Sequence, residues 1–157
     1  MMKRQIHATA SVLAALFLAT FWTSTLVTEL FLSAAAVTEV KQLIAYALMV
    51  FVPLMGITAG TGFSMGGKGC HPLLVSKRRR MPFIGINGLL ILVPSALFLA
   101  LRAKAGLLDD VFYSVQALEL IAGAVNLTLI GLNIRDGFKL SGLRHTGQTL
   151  PQRKSIT

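Results

Sequence analysis

The stretch Ser76-Lys77-Arg78-Arg79-Arg80-Met81-Pro82, near the midpoint of the 157-residue chain, decides how the rest is read. Lys77, Arg78, Arg79 and Arg80 cannot sit in hydrocarbon, and a long apolar run lies on either side of them. They predict a loop held in water, and the positive-inside rule puts that loop on the cytoplasmic side. The orientation of the other segments follows from this one.

Downstream, Met81 to Leu101 is free of charge and carries Asn87 and Pro94. Arg102 and Lys104 end it, Ala105-Gly106 supply a turn, and Asp109-Asp110 can cap the next helix. A further apolar block from Val111 to Ile134 holds Gln116, Glu119, Asn126 and Asn133. Upstream, the run from Gln42 to Gly67 is charge-free, contains Pro53 and dissolves into glycine, so its helix is expected to end between Gly60 and Gly66. Gly66 to Ser76 reads as a loop closed by the cations, and Ser33 to Glu39 as a turn.

The first block, Ile6 to Thr28, follows Lys3 and Arg4 as a signal peptide would. A signal h-region is only about 7–15 residues long, however, so the block reads as a retained first helix. The expected spans are about 7–31, 40–64, 81–102 and 111–134, within a transmembrane domain over 1–146. A disordered polar tail, 147–157, is expected to follow. The fold class is therefore all-α: an integral membrane four-helix bundle.

Composition agrees. Hydrophobic residues make up 54% of the chain, and charged residues make up 13% against about 25% in a soluble domain. The net charge of +9 falls mostly in segments flanking the apolar blocks, where it sets topology and meets the lipid bilayer, so no nucleic-acid partner is expected. Cytoplasmic segments hold Lys3, Arg4, Lys68, Lys77, Arg78, Arg79, Arg80, Arg135, Lys139, Arg144, Arg153 and Lys154, against Lys41, Arg102 and Lys104 outside. This bias predicts an inner-membrane protein of a bacterium with both termini in the cytoplasm. Cys70 is the one cysteine, so no intrachain disulfide forms, and a lone Cys-His pair is not a zinc site.

A shift of 75 places the second half on the first: Lys3-Arg4 on Arg78-Arg79, and Gly62-Phe63 on Gly137-Phe138. Identities at Val40/Val115, Leu43/Leu118, Ala47/Ala122, Val50/Val125 and Leu54/Leu129 trace a helical seam read as a packed face. The expectation is two parallel-repeat helical hairpins about an axis along the membrane normal.

Glu119, Asn126 and Asn133 recur at seven-residue spacing, one position after that seam, which turns them into the bundle. Asn126 and Asn133 are expected to hydrogen-bond across helices, with Asn87 as a partner. Glu119 either pairs with Arg102, Lys104 or Lys41, or serves as an intramembrane proton carrier. His7, with His71 or Met65, is a candidate axial set for haem b. Walker loops, hydrolase triads and metalloprotease motifs are absent from the sequence.

The leading reading is a non-enzymatic accessory or partner-binding membrane subunit, paired with another membrane protein or with itself as a homodimer. The alternatives are a small b-type haem electron-transfer protein and a small proton-coupled carrier acting through Glu119.

Overall fold

A computed structural model of the chain describes residues 2–65 and 72–145. The predicted tail, Cys70 and His71 lie outside the described residues. The elements are α1 (Met2–Phe31), α2 (Ala34–Met65), α3 (Pro72–Asn87), a π-helical turn (Gly88–Leu92), α4 (Val93–Lys104) and α5 (Asp110–His145). The α3, π and α4 segments follow without a break, so the chain is an all-α bundle of four long helices, with no strand among the described residues. Within the π turn, the Val93 N–H reaches back to the Gly88 carbonyl. α1 packs on α2, α2 on α4, α4 on α5, and α5 returns to α1, closing a ring.

Among the described residues, four stretches are long and apolar enough to cross a membrane: Gln5–Phe31, Ala34–Gly62, Val75–Lys104 and Asp110–Lys139. The shortest has 27 residues, which at about 1.5 Å of rise per residue exceeds a hydrocarbon core of about 30 Å. The distribution of polarity points the same way. Lys41, Gln116, Asn126 and Asp136 are buried, while Met49, Phe83, Leu90 and Ile121 face outward. A solvent of lipid tails favours that inverted arrangement, because an exposed apolar side chain costs nothing there.

The cationic stretch does not form the expected loop: Lys77 to Arg80 lie in the early turns of α3. Lys and Arg are good helix formers, and a helix can carry them past the edge of the hydrocarbon as readily as a loop. Pro72 opens α3, where a missing N–H is least costly. The turn expected over Ser33 to Glu39 shrinks to Leu32-Ser33, because Ser33 caps α2. Its Oγ accepts from the Ala36 N–H at 3.4 Å.

The turn between α4 and α5 has two locks. Gly106 sits at φ 71, and the Gly106 and Leu107 N–H groups donate to the Ala103 and Arg102 carbonyls, both at 3.0 Å. This is the Schellman pattern, which favours glycine at the left-handed position. The Asp109 carboxylate then accepts from the Phe112 N–H at 3.0 Å and caps α5.

The core lies along the ring's interior. Ala14 and Leu18, Ile44, Leu48 and Phe51, Leu92 and Ala96, and Ala122 form its main cluster. Phe17, Phe21 and Phe51 pack at centroid separations of 5.6–6.2 Å. A second cluster of Val37, Leu99, Ala103 and Phe112 lies nearer the α4–α5 turn.

The seam traced by matching residues between the two halves is split by the packing. Ala122 lies in the core, and Val40, Leu54 and Val115 pack against it, whereas Leu43, Val50, Leu118 and Val125 face outward and the buried face of α2 runs through Val37, Lys41, Ile44, Leu48 and Phe51. In a bilayer, apolar identity marks lipid-facing positions as readily as packed ones, so it does not report burial.

Candidate functional site: an ion pair inside the bundle

α5 presents Gln116, Glu119, Asn126 and Asn133 along its inner side, and each meets a different environment. Glu119 Oε2 accepts from Lys41 Nζ of α2 at 2.6 Å. The Lys41 side chain is 1% exposed and that of Glu119 13%. Lys41 also reaches Thr25 Oγ1 of α1 at 3.5 Å, and Gln116 Nε2 donates to Glu119 Oε2 at 3.4 Å. Three helices thus converge on one ion pair.

Glu29 of α1 completes the cluster. It lies within electrostatic reach of both Lys41 and Glu119. Its Oε1 is buried and has no hydrogen-bond partner among the described residues, and the same is true of Gln116 Oε1. A cavity of about 40 Å³ opens beside Glu119 and Thr25, walled by Phe21, Trp22, Phe51 and Gly123. Trp22 crosses to α5, donating from Nε1 to the Leu120 carbonyl at 2.9 Å. Gly123 permits that approach, since a Cβ there would lie 2.8 Å from the indole ring.

Lys41 does not stand at the outer surface as its place in the chain implies. It sits just ahead of a charge-free run, so hydropathy assigns it to the interface. Its spacing holds the better signal. It continues the buried register of Val37, Ile44 and Leu48, and a cation on that face needs a partner inside. Thr25, Glu29 and Gln116 carry no comparable signal, because hydroxyl, carboxyl and amide groups near a span's end are ordinary.

Asn87 Nδ2 donates to the Asn126 side chain at 3.0 Å and to the Ala122 carbonyl at 2.9 Å. Asn126 returns a bond to the Ile84 carbonyl at 3.3 Å. These bonds clasp the third helix to α5 at the residue where the π turn begins. Asn133 stands apart from this pair, with its Oδ1 buried and unpartnered among the described residues.

At the opposite end of the bundle from the ion pair, Arg80 binds Asp136 at 2.7 Å, and Arg135 lies 3.4 Å from the same carboxylate. Asp136 is buried, so one cation of the topological cluster also ties α3 to α5. Lys77 is partly buried beside Asp136, and Arg78 and Arg79 are exposed.

His7 turns Nδ1 toward the Thr58 carbonyl and the Thr61 hydroxyl, both at 3.1 Å. Nε2, the nitrogen left for a metal, lies 3.5 Å from Ser11 Oγ. His71 and the Met65 side chain, the other candidate haem ligands, lie outside the described residues. No family model, curated protein or solved structure shows significant similarity to the chain.

The Lys41 cluster is the arrangement with most chemical capacity. Two carboxyl groups lie about one buried ammonium, and charges there interact far more strongly than at a surface.

Proposed function

We propose that the chain is a multipass protein of a bacterial inner membrane, with both termini in the cytoplasm. It serves there as a non-enzymatic accessory subunit that binds another membrane protein through its lipid-facing helices. The observation carrying this reading is the shortness of the described connections: Leu32-Ser33, and residues 105–109. With so little chain beyond the helices at that end, the surface offered to a partner is the outward flank of the bundle, where Tyr46, Met49 and Ile121 are exposed. The charge bias supports the orientation, and burial of Lys41 leaves only Arg102 and Lys104 as cations on the outer side.

Photo-crosslinking residues placed at Met49 and Ile121 in native membranes test this reading. A discrete adduct with a second protein is expected from at least one position. Lipid adducts alone would overturn it, and an adduct with a second copy would replace the partner by a homodimer. A haem absorbance spectrum from the purified protein would favour b-type electron transfer through His7 instead.

A second reading is a small proton-coupled carrier. The charged cluster around Glu119, bordered by a cavity, favours it.

A further inference from the structure

We propose that Glu29, Lys41 and Glu119 form a one-proton site in which Glu29, rather than Glu119, takes up and releases the proton. It deepens the proton-linked reading of this cluster and is independent of the accessory role.

The geometry distributes the charges unequally. One ammonium faces two carboxyl groups, and Lys41 Nζ lies 2.6 Å from Glu119 Oε2. Glu119 also receives the Gln116 amide, so its negative charge has two donors. Glu29 Oε1 has neither solvent nor a donor among the described residues. A charged oxygen in that position loses its hydration with no hydrogen bond in exchange, whereas a neutral carboxyl loses less. Glu29 also lies in the last turn of α1, which ends at Phe31, where the helix dipole opposes a negative charge.

The polar groups point to the same ligand. The Gln116 side chain is directed at Glu119, the residue is 3% exposed, and its Oε1 lacks a donor. A buried acceptor without a donor, beside two acids, calls for an added donor, and a proton on the cluster is one.

Among the described residues, Lys41 is the cation that acts on Glu29. Lys41 faces it from α2 and Glu119 from α5. On α4, Arg102 is bound to Asp109 and stacked over Phe98, and Lys104 is exposed, as is Glu39 on α2. Glu29 is three residues from Leu32, so the α1–α2 turn places water within reach for exchange. When Glu29 loses its proton to that water, its carboxylate competes with Glu119 for Lys41, and the link between α2 and α5 weakens.

Infrared spectroscopy of the intact protein in lipid nanodiscs tests this. The chain has six carboxylate side chains, so a protonated-carboxyl carbonyl band is readily assigned. The band is expected at neutral pH, lost in Glu29→Gln, and lost reversibly in the unaltered protein as the pH is raised above neutral. Lys41→Met removes the cation from both acids, and the band is expected to grow about twofold. Because Glu29→Gln conserves shape, it keeps the test valid if Lys41→Met fails to fold. Absence of the band at neutral pH, its survival in Glu29→Gln, or its indifference to pH would each overturn the proposal.

Discussion

Lys41 of α2 and Glu119 of α5 meet at 2.6 Å across 78 positions of sequence, and Thr25 of α1 lies 3.5 Å from the same ammonium. A buried pair of this kind is a poor source of net stability, because desolvating two ions offsets most of their attraction. Its effect is on specificity, since only one rotation of α2 and α5 about their axes brings the two charges together.

That reasoning sets the first prediction. Glu119→Gln removes the carboxylate bonded to the Lys41 ammonium and is expected to cost about 3 kcal/mol, measured by unfolding in mixed detergent. Lys41→Met with Glu119→Leu removes both charges and is expected to recover most of that loss. A double-mutant cycle with no coupling between the two sites would refute the pairing.

Asn87 and Asn126 supply the second. Asn126→Leu removes the bond from Asn87 and the bond to the Ile84 carbonyl. The expected loss is about 1 kcal/mol, because interhelical hydrogen bonds in lipid are worth little more than that. Asn133→Leu breaks no described side-chain bond and is expected to be neutral or slightly stabilising. The opposite ranking in the same unfolding assay would contradict the assignment of the clasp.

Asp109 governs a pH dependence. The Phe112 N–H, followed by the Arg102 guanidinium, holds its carboxyl below the usual carboxylate range. A carboxyl with a depressed folded-state pKa stabilises fully above its unfolded value of about 3.9, and the contribution is lost as pH falls through the folded value. Asp109→Asn keeps a capping oxygen but is expected to flatten the stability profile in that acidic window. Asp109→Ala loses the cap at every pH. Thermal unfolding followed across acid pH separates the three profiles.

Orientation gives the fourth prediction. A cysteine at Ala105, with Cys70 replaced, is expected to react with an impermeant thiol reagent from outside, whereas native Cys70 reacts only once a reagent has crossed the membrane. Replacing Arg78 and Arg79 with glutamine is expected to yield mixed topology. Arg80→Gln is expected to lower stability, because it leaves the buried Asp136 carboxylate without its closest cation. Labelling of Ala105Cys only from inside would reverse the orientation.

The local features were legible from the sequence. Charge-free runs of more than twenty residues require helices in lipid, since each backbone polar group must be satisfied within its own segment. The bundle of four long helices follows from that. The turn at Ala105-Gly106 and the acid at Asp109 are equally local: a left-handed glycine and a cap act within a few residues.

What the sequence could not determine is which faces meet. The residue matches between the two halves traced one packed seam, yet of its members Ala122 is in the core while Leu43, Val50, Leu118 and Val125 face outward, because lipid and core accept the same apolar side chains. Lys41 shows the converse. Beside a span it reads as a surface charge, and only the packing of α2 against α1 and α5 brings Glu119 and Thr25 to it. Hydropathy is a sum along one segment, whereas an ion pair across 78 positions depends on the rotation and depth of two helices at once. The sequence offered Asn87 for Asn126 and three cations for Glu119; tertiary packing chose Lys41 among those three, and it alone gave Asp136 its partner.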